Sequence, residues 1–346
     1  MTRNWGERVT VKQVALDAGV STQTVSRVVN NAPGVLPDTR RRVQESIRRM
    51  GYRPNAIARS LIQRRSCVLG VVYTGLDYYG PSHTLMGIEQ GANGSGYSLN
   101  LCLLHQPETD NAEPLIDGLL SRQVDGIIWA TQEIGNNMWW VEKARLPIPI
   151  VFLETLPRKG IYNINVDSRF GAQLAVRHLV SCGYRRIGLI AGPQTWWSAR
   201  ERLQGWRDTM AEAGLPADER RIAEGDWSTG SGVRAAESLL DKFPDVEAVF
   251  ACNDQMALGV LQAGRRLGRR IPEDLAIIGY DDIPEAEYFW PPLTTVRQDL
   301  TALGGTAVEL ISRLIAGGRP GGGSFVEPET TWVKPELVIR GSTQGR

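Results

Sequence analysis

The chain has 346 residues, of which 42% are apolar and 22% charged, and this composition is that of a globular protein with two or three domains. Apolar runs such as Ile187–Ala191 are far shorter than the ~20 residues of a membrane-spanning helix, and the polar start Met1–Thr10 lacks the hydrophobic core of a signal peptide. The four cysteines form no CxxC pair, which argues against a zinc site or a disulfide framework, so we expect a protein of the reducing cytoplasm.

The net charge of +1 conceals two oppositely charged regions. Residues 1–66 contain 13 of the 39 basic residues and 4 of the 38 acidic residues, so this segment carries +9 and the remainder −8. A concentrated positive charge favours a polyanionic partner such as DNA, although a solvated basic helix would give the same composition. Charge alone leaves both interpretations open.

The spacing of apolar residues in the basic segment predicts two short helices. Thr10 can cap a helix over Val11–Ala18, Gly19 ends it, and Ser21 can cap a second helix over Thr22–Asn30. Two such helices form a helix-turn-helix, whose second helix enters the major groove of DNA. Four polar residues lie on the free side of that helix: Thr22, Gln23, Ser26 and Arg27. Because Gln can pair with adenine and Arg with guanine, we expect Gln23 and Arg27 to read base edges.

A third helix is predicted over Pro37–Met50. Val43, Ile47 and Met50 recur on one side, which we expect to face the core, and five arginines fall on the other side. We expect most of these arginines to be solvated and one or two to contact DNA phosphate.

Short motifs cover the basic segment almost continuously. They are Val9–Val11, Ala18–Ser21, Thr24–Asn30, Thr39–Arg40, Gly51–Asn55 and Ala58–Leu61. In order and spacing they resemble the headpiece of the LacI/GalR family of transcriptional regulators, a likeness far more specific than a generic helix-turn-helix. Thr22 departs from the tyrosine of the family's founding member, and Leu36 replaces the hydroxyl residue that usually caps the third helix. The resemblance implies DNA-binding roles for Thr10, Ser21, Thr22, Gln23, Ser26, Arg27, Asn30, Thr39, Tyr52, Asn55, Ala58 and Leu61.

The segment after Pro54 is predicted to be helical only under some conditions. Pro54 suits a first helical turn, but Asn55–Gln63 is shorter than the ~12 residues that an isolated helix needs for stability. From the residues alone, Leu61 reads as a linker residue that packs on the body. The family resemblance instead implies a hinge helix in the minor groove, with Leu61 as an apolar wedge between base steps.

Beyond Cys67, short apolar runs alternate with helical stretches. The predicted strands are Val68–Tyr73, Leu99–Leu104, Gly126–Ala130, Ile150–Leu153, Ile187–Ala191, Val246–Ala251 and Leu275–Tyr280. This alternation predicts parallel sheets covered on both faces, whose ligands bind beyond the carboxyl ends of the strands. The polar and aromatic candidates that follow those ends are Glu154, Arg202, Trp227, Asn253, Asp254 and Tyr280–Asp282.

These candidates favour a binding protein over an enzyme. The sequence has no Walker loop, GxSxG, HExxH or GxGxxG, and its three histidines are scattered, so we expect no catalytic residue, no metal site and no cofactor. Ten tryptophans, with Asp, Asn and Arg at strand ends, suit a polyhydroxylated ligand. Aromatic faces would cover its C–H surface, and charged groups would bind its hydroxyls. Taken singly, however, a Trp is more often a core residue and an Arg or Asp a surface charge.

Further motifs extend the resemblance over nearly the whole chain. Ser198–Trp206, Gly225–Ser228, Ala251–Gly259, Gly279–Asp282 and Pro291–Thr295 are similar in order and spacing to the LacI/GalR core. The match implies that effector contacts fall on Glu154, Ser198, Arg202, Trp227, Asn253, Asp281 and Gln298. Glu154 replaces an aspartate, and Tyr78 and Thr84 replace apolar wall residues. The implied effector is a small sugar related to a galactoside or a glucoside.

The resemblance also implies an α/β architecture. It comprises a lambda-repressor-like helix-turn-helix headpiece (1–53), a hinge helix and linker (54–66), and a periplasmic-binding-protein-like core of two doubly wound α/β subdomains (67–346). We place the first subdomain at 67–166 and 299–327, and the second at 167–298 and 328–346. The Gly-rich segment Gly317–Ser324 is predicted to be a loop near a crossing between them.

The function implied by the family is that of a cytoplasmic, nucleoid-associated repressor. It would bind a palindromic double-stranded operator as a homodimer, with its affinity modulated by the sugar. No leucine-heptad helix follows Leu337–Ser342, so we expect a dimer and no tetramer. Control through a corepressor, or activation, stays open within the family. A sugar-binding transport protein is a further alternative, which would need an export signal and no basic headpiece.

Overall fold

The computed structural model describes residues 9–53, 65–105, 112–131, 146–317 and 327–344. The chain separates into two compact units, Met1–Ser66 and Cys67–Arg346. Each unit has a hydrophobic core of its own.

The first unit contains three helices, α1 (Val11–Asp17), α2 (Thr22–Val29) and α3 (Pro37–Met50). Their bounds agree with the predicted helices to within one residue. Thr10 and Ser21 cap α1 and α2 as predicted, each accepting a hydrogen bond from a backbone N–H of the first turn. Helix α3 begins without a side-chain cap, because Leu36 offers no oxygen.

The helices of this unit pack on three fully buried valines, Val14, Val25 and Val43. The predicted inward face of α3 needs one correction. Ser46 is buried there and donates a hydrogen bond to the Asp17 carboxylate at 2.5 Å, whereas Ile47 and Met50 are only partly buried. A polar residue can occupy this position because α1 supplies a charged acceptor for its hydroxyl.

The first sheet of the second unit contains β1 (Val68–Tyr73), β2 (Ser98–Leu103), β3 (Gly126–Ala130), β4 (Ile150–Leu153), β5 (Tyr162–Val166) and β11 (Thr330–Val333). Its strands are all parallel and lie in the order β11-β5-β4-β3-β1-β2. The helices of this part of the chain are α4 (Tyr79–Gly94), α5 (Glu113–Ser121) and α10 (Leu300–Gly317). The central strands are rich in Val, Ile and Leu because both faces of the sheet are covered.

The second sheet contains β6 (Ile187–Ala191), β7 (Ile222–Glu224), β8 (Ala248–Ala251) and β9 (Ala276–Ile278). These strands are parallel in the order β7-β6-β8-β9. Helix α6 (Ser168–Ser181) precedes β6, and the chain between the strands forms α7 (Trp197–Glu212), α8 (Thr229–Lys242) and α9 (Asp254–Arg266). A separate antiparallel pair joins β10 (Thr295–Arg297) to β12 (Glu336–Val338).

Strand β5 was not predicted, because Asn163 and Asn165 interrupt its apolar residues. Both side chains are fully buried, and both amides donate to the carbonyl oxygen of Thr155, at 2.9 and 2.8 Å. A buried polar residue costs little when its hydrogen bonds are made, so the strand stays in the sheet despite its composition.

The subdomain boundary predicted at residue 328 is also corrected. Thr330–Val333 forms β11, which pairs in parallel with β5 at the edge of the first sheet. The return to the second sheet therefore follows β11. The subdomain to which residues 330–333 belong is decided by their pairing with β5. The sequence of this segment alone does not show which strand it pairs with.

Helix α10 is long and apolar enough to pass for a membrane span by length and composition. It instead packs on α4, where the backbones of the two helices touch. A Cβ added at Gly87 would lie 2.8 Å from the Thr301 Cα, and one at Gly304 would lie 2.5 Å from the Ile88 nitrogen. Because Leu303, Ala307 and Val308 are fully buried in the first-sheet core, α10 is a core helix.

Candidate functional site

Seven side chains that are distant in sequence line one cleft of the second unit. The cleft encloses about 700 Å³, including its open mouth, and the seven are the predicted effector contacts: Glu154, Ser198, Arg202, Trp227, Asn253, Asp281 and Gln298. Glu154, Asn253 and Gln298 follow the ends of β4, β8 and β10 within two residues. The cleft therefore lies where a parallel sheet presents its loops to a ligand.

The lining residues form two walls. The first-sheet wall comes from the β1–α4 region and the end of β4 and contains Tyr73, Thr74, Tyr78, Tyr79, Thr84 and Glu154. The second-sheet wall contains Trp196, Ser198, Arg202, Trp227, Asn253, Asp281 and Gln298.

Three of these residues have left-handed backbone conformations that non-glycine residues rarely adopt. Glu154 has φ 52°, Trp227 has φ 72° and Asp281 has φ 119°. Such conformations carry a cost of about 1–3 kcal/mol each and concentrate at functional sites. Here all three aim a cleft side chain from the loop that follows a strand, so the backbone cost coincides with the predicted site.

Arg202 is the buried cation of the cleft, with 5% of its surface exposed. Its guanidinium lies 3.7 Å from the Tyr280 ring centroid, and Nη1 donates to the Cys252 carbonyl oxygen at 2.5 Å. Nη2 makes a long bond of 3.4 Å to Gln298, and Nε has no partner among the described residues. A buried guanidinium with donors to spare is suited to bind the oxygens of a ligand.

Asp281 faces Arg202, with Oδ1 4.0 Å from Nη1. Gln298 donates to the same oxygen at 2.6 Å. Burial raises the pKa of Asp281 to about 6, although Arg202 and the Gln298 hydrogen bond both oppose the shift. Arginine donors and a carboxylate acceptor thus lie side by side, an arrangement that matches two neighbouring hydroxyl groups of a sugar.

Asn253 lines the cleft, and its side chain is also bound within the protein. Its amide nitrogen donates to the Trp227 carbonyl oxygen and to Gln255, both at 2.9 Å, and its Oδ1 accepts from the Met256 N–H as the cap of α9. Both N–H donors are therefore committed within the protein. Asn253 lines the cleft, and its clearest role is to hold the backbone of Trp227.

Glu154 is the carboxylate of the first-sheet wall. Its Oε1 accepts a hydrogen bond from the Val166 N–H at 2.5 Å. Burial raises the pKa of Glu154 to about 7, with the Val166 bond and the charge of Arg202 acting in the opposite direction. Near neutral pH this group can therefore either accept or donate a hydrogen bond to a ligand hydroxyl.

Sequence reasoning missed three aromatic residues of the cleft: Tyr73, Tyr79 and Trp196. Trp196 meets the Tyr78 ring edge-on at 5.4 Å and the Trp227 ring at 5.7 Å. The available signal was its position, since Trp196 lies in the loop after β6, directly before a helix and two residues before Ser198.

In the first unit, Thr22 and Gln23 are exposed at the start of α2, as a base-reading role requires. Arg27 is exposed as well, and its Nη2 donates to the Pro33 carbonyl oxygen at 2.8 Å, which uses one of five donors. Asn30 donates to Ser26 at 3.3 Å.

The other residues predicted to bind DNA occupy different kinds of position. Thr10 and Ser21 serve as helix caps, Thr39 is partly buried, and Tyr52 packs on the headpiece core. Asn55, Ala58 and Leu61 lie outside the described residues. Within the described part of the chain, no group of three His, Cys, Asp or Glu residues is arranged to hold a metal ion.

Two family models match the chain. Residues 10–55 match the model of bacterial regulatory proteins of the lacI family, and residues 176–343 match the periplasmic binding protein-like domain. These matches cover the capped helices of the first unit and every residue assigned above to the second-sheet wall.

Two relatives are similar to this chain over nearly its whole length. The lactose operon repressor of Escherichia coli K12 is 34% identical over 337 residues, which cover 97% of this chain and 92% of the relative. The transcriptional repressor PurR of Haemophilus influenzae is 33% identical over 335 residues, covering 97% and 98%. Both relatives are repressors and not enzymes.

Solved structures are similar over the same length. The lac repressor dimer bound to operator and the anti-inducer ONPF superposes with a TM-score of 0.86 at 32% identity, covering 97% of this chain and 99% of that one. The complex of the transcriptional regulator CelR with cellobiose gives a TM-score of 0.72 at 32% identity, covering 97% and 100%. The chain therefore belongs to the LacI family of bacterial regulatory proteins, transcriptional regulators in which a ligand-binding core modulates DNA binding.

Proposed function

We propose that this regulator is a repressor that releases its operator when a small sugar, a galactoside or a glucoside, binds in the cleft. The observation that carries the proposal is the convergence of Glu154, Arg202, Trp227 and Asp281 on one cavity with unused hydrogen-bonding capacity. An aromatic face lies beside a charged pair there, which is the chemistry that a sugar ring requires.

On the DNA side, we propose that two headpieces of a homodimer bind the half-sites of a palindrome. Exposure of Thr22, Gln23 and Arg27 on α2 supports base reading by these residues, and the basic charge of residues 1–66 supports phosphate binding. We assign residues 1–53 to the headpiece and 54–66 to a hinge. Asn55, Ala58 and Leu61 of the hinge keep their proposed contacts with the minor groove, in a protein that acts at the cytoplasmic nucleoid.

Coupling between the two sites follows from linkage. If a sugar lowers operator affinity by a given factor, the operator must lower sugar affinity by the same factor. In the proposed mechanism the sugar changes how the cores of the dimer pair, so that the hinge segments no longer meet.

The test is an operator titration in the presence of single sugars. A palindrome is first recovered from random duplex DNA by its affinity for the protein, and its dissociation constant is measured with increasing galactosides and glucosides. We expect at least one sugar to weaken operator binding, and Arg202→Ala to bind the operator normally without responding. A sugar that strengthens binding would identify a corepressor, and operator affinity that no sugar changes would contradict the proposal.

Base reading is tested with the same palindrome. Gln23→Ala and Arg27→Ala should each lose about 1–3 kcal/mol of discrimination against a substituted base pair. The control is Arg41→Ala, because Arg41 is exposed on α3 and paired with Asp38 at 2.6 Å. We expect the control to retain the sequence preference; loss of preference in all three variants alike would refute base reading by α2.

A further inference from the structure

Arg27, a proposed base-reading residue of α2, is held at one end by the loop that follows this helix. The α2–α3 loop, residues 30–36, connects α2 to α3. Arg27 lies in the last turn of α2 and is exposed, and its Nη2 donates to the Pro33 carbonyl oxygen at 2.8 Å. The Arg27 side chain makes no other hydrogen bond among the described residues. Its remaining N–H donors are therefore available to a base, and a bidentate pair with guanine needs two of them.

Arg40 holds the same loop from α3. It lies near the start of that helix, and its guanidinium makes two hydrogen bonds to the α2–α3 loop. Nη1 donates to Oδ1 of Asn31 at 2.9 Å, and Nη2 donates to the Ala32 carbonyl oxygen at 2.8 Å. The carbonyls of Ala32 and Pro33 are consecutive, so Arg40 holds the peptide segment that supplies the acceptor for Arg27. A planar guanidinium with donors on two nitrogens fixes both of its acceptors at once.

The backbone of the loop has the shape that this contact requires. Asn31 has φ 54°, a left-handed conformation that is uncommon for non-glycine residues, and its side chain is one of the two acceptors of Arg40. The Ala32 N–H donates to the Arg27 carbonyl oxygen at 2.9 Å, which closes the chain back on the end of α2. Gly34 has φ +82°, and a Cβ there would lie 3.1 Å from Nη2 of Arg27. The Arg27 guanidinium therefore packs against glycine backbone, in space that a side chain would occupy.

Arg40 differs from the other arginines of α3 in its surroundings. It is partly buried, whereas the others are exposed: Arg41, Arg42, Arg48 and Arg49. Among the described residues, it is also the arginine of this helix that bonds to the α2–α3 loop. An arginine whose two terminal nitrogens are already bonded to the protein has fewer donors left for a DNA phosphate. The position of Arg40 therefore favours a role within the headpiece.

A fixed guanidinium reads a base more effectively than a mobile one. A mobile arginine side chain loses rotamer freedom when it is ordered on DNA, and this loss weakens binding. In this headpiece part of the ordering is complete before DNA binds, because the Pro33 carbonyl oxygen holds Nη2 of Arg27. The direction of the guanidinium then depends on the α2–α3 loop, and the loop is held by Arg40.

We propose that Arg40 is a positioning residue for base reading, which acts through the α2–α3 loop to direct the Arg27 guanidinium at one base pair of each half-site. The inference rests on the proposed function, since it takes Arg27 as a residue that reads bases. It assigns to Arg40 a contribution to sequence preference at a base pair that Arg40 itself does not contact.

The experiment measures how tightly full-length variants bind a palindrome recovered from random duplex DNA, and duplexes in which one base pair of each half-site is replaced. The variant Arg27→Ala first identifies the base pair that Arg27 reads, as the position whose replacement no longer changes affinity. Arg40→Met keeps a long side chain and removes all of its donors. We expect Arg40→Met to lower discrimination at that same base pair by at least about fivefold, a part of what a bidentate pair provides. Discrimination at the other positions should be retained.

The ratio of two affinities is a readout that a loss of headpiece stability does not change. Unfolding of a fraction of the headpieces weakens binding to every duplex alike, so discrimination stays the same. Loss of a phosphate contact would also weaken binding to every duplex alike, and it would make the salt dependence of binding shallower. Arg42→Met is the matched control, because Arg42 is exposed on the same helix and makes no hydrogen bond to the loop among the described residues. We expect this control to keep the preference at all positions.

A second variant, Gly34→Ala, alters the same contact from the loop. The new Cβ would press on Nη2 of Arg27, so we expect discrimination to fall at the base pair of Arg27 here as well. Gly51→Ala is the control for backbone strain, since Gly51 has φ +66° in the same headpiece and none of the described residues lies within 4 Å of its added Cβ. Both replacements strain the backbone, but only Gly34→Ala should change the preference at one base pair.

Three results would overturn the inference about Arg40 and leave base reading by Arg27 intact. They are unchanged discrimination in Arg40→Met, lower discrimination at every base pair alike in that variant, and equal behaviour of Gly34→Ala and Gly51→Ala. If Arg27→Ala instead keeps full discrimination at every base pair, base reading by Arg27 is itself contradicted, and with it the function proposed for this residue of α2.

Discussion

The two walls of the cleft differ in which groups hold their side chains in place. On the second-sheet wall, Arg202, Asp281 and Gln298 are joined to one another by hydrogen bonds and charge, and Asn253 holds Trp227. On the first-sheet wall, Glu154 and Thr84 are bound to the backbone of their own part of the fold, at Val166 and Gly80. The second-sheet wall is therefore a network of cleft side chains that depend on one another, so we expect a substitution there to disturb more of the cleft than a substitution on the first-sheet wall.

Removal of Arg202 should break the second-sheet wall and have the largest effect. Arg202→Ala leaves Asp281 buried without its cation, and loss of one partner of a buried pair costs about 3–5 kcal/mol. We expect sugar affinity to fall by at least about 100-fold and the melting temperature of the core to drop, as measured by calorimetry. Arg200→Ala is the matched control, since Arg200 is exposed on the same helix and bonds to the carbonyls of Gln194 and Thr195. Equal effects of the two variants would contradict the central place given to Arg202.

The raised pKa of Glu154 gives the first-sheet wall a pH signature. A carboxyl group whose folded pKa of about 7 exceeds its ordinary value of 4.5 stabilises the fold while it is protonated. That contribution is complete below pH 4.5 and is lost as the pH rises to 7. Relative to Glu154→Gln, the native protein should therefore lose up to about 3 kcal/mol of unfolding free energy across this window, at ~1.4 kcal/mol per pKa unit. Denaturant unfolding of both proteins at several pH values measures the difference in their unfolding free energies. A difference that does not change with pH would show that titration of Glu154 is not its cause.

A methyl group at the contact of α4 and α10 should displace the first-sheet wall and leave the other in place. In Gly304→Ala the new Cβ would overlap the carbonyl oxygen of Thr84, a cleft residue. We expect a loss of about 1–3 kcal/mol in stability, as for overpacking generally, with weaker sugar binding. In the control Gly305→Ala nothing lies within 4 Å of the new atom. The unfolding free energy of Gly305→Ala should rise by up to about 1 kcal/mol through helix propensity. Equal changes in stability and sugar affinity in the two variants would contradict the importance of the close contact at Gly304.

The parts of the fold that sequence could predict are those where local chemistry decides the structure. The caps of α1 and α2 depend on Thr10 and Ser21 and on residues within one turn of them, and short runs such as Ile187–Ala191 favour buried strands. Strand β5 and the place of β11 escaped prediction for a shared reason. Asn163 and Asn165 are tolerated because Thr155 completes their hydrogen bonds, and β11 is fixed by a partner strand far away in the chain.

The candidate site divides in the same way. The second-sheet wall could be predicted because Arg202, Trp227 and Asp281 occur within recognisable motifs. Trp196 was missed although its position after β6 offered a signal, because its contact with Tyr78 joins residues more than a hundred positions apart in the chain. The engagement of Asn253 in capping and holding Trp227 likewise depends on atoms that the sequence does not bring together.

The separation of Trp196 and Trp227 by 5.7 Å has a practical consequence. Indoles this close exchange excitation energy, and their mutual inclination of 69° makes the pair optically asymmetric. We expect a ligand that contacts either ring to change the tryptophan emission and the near-ultraviolet circular dichroism of the protein. Intrinsic tryptophan spectroscopy should therefore report, without an added label, whether the cleft is occupied.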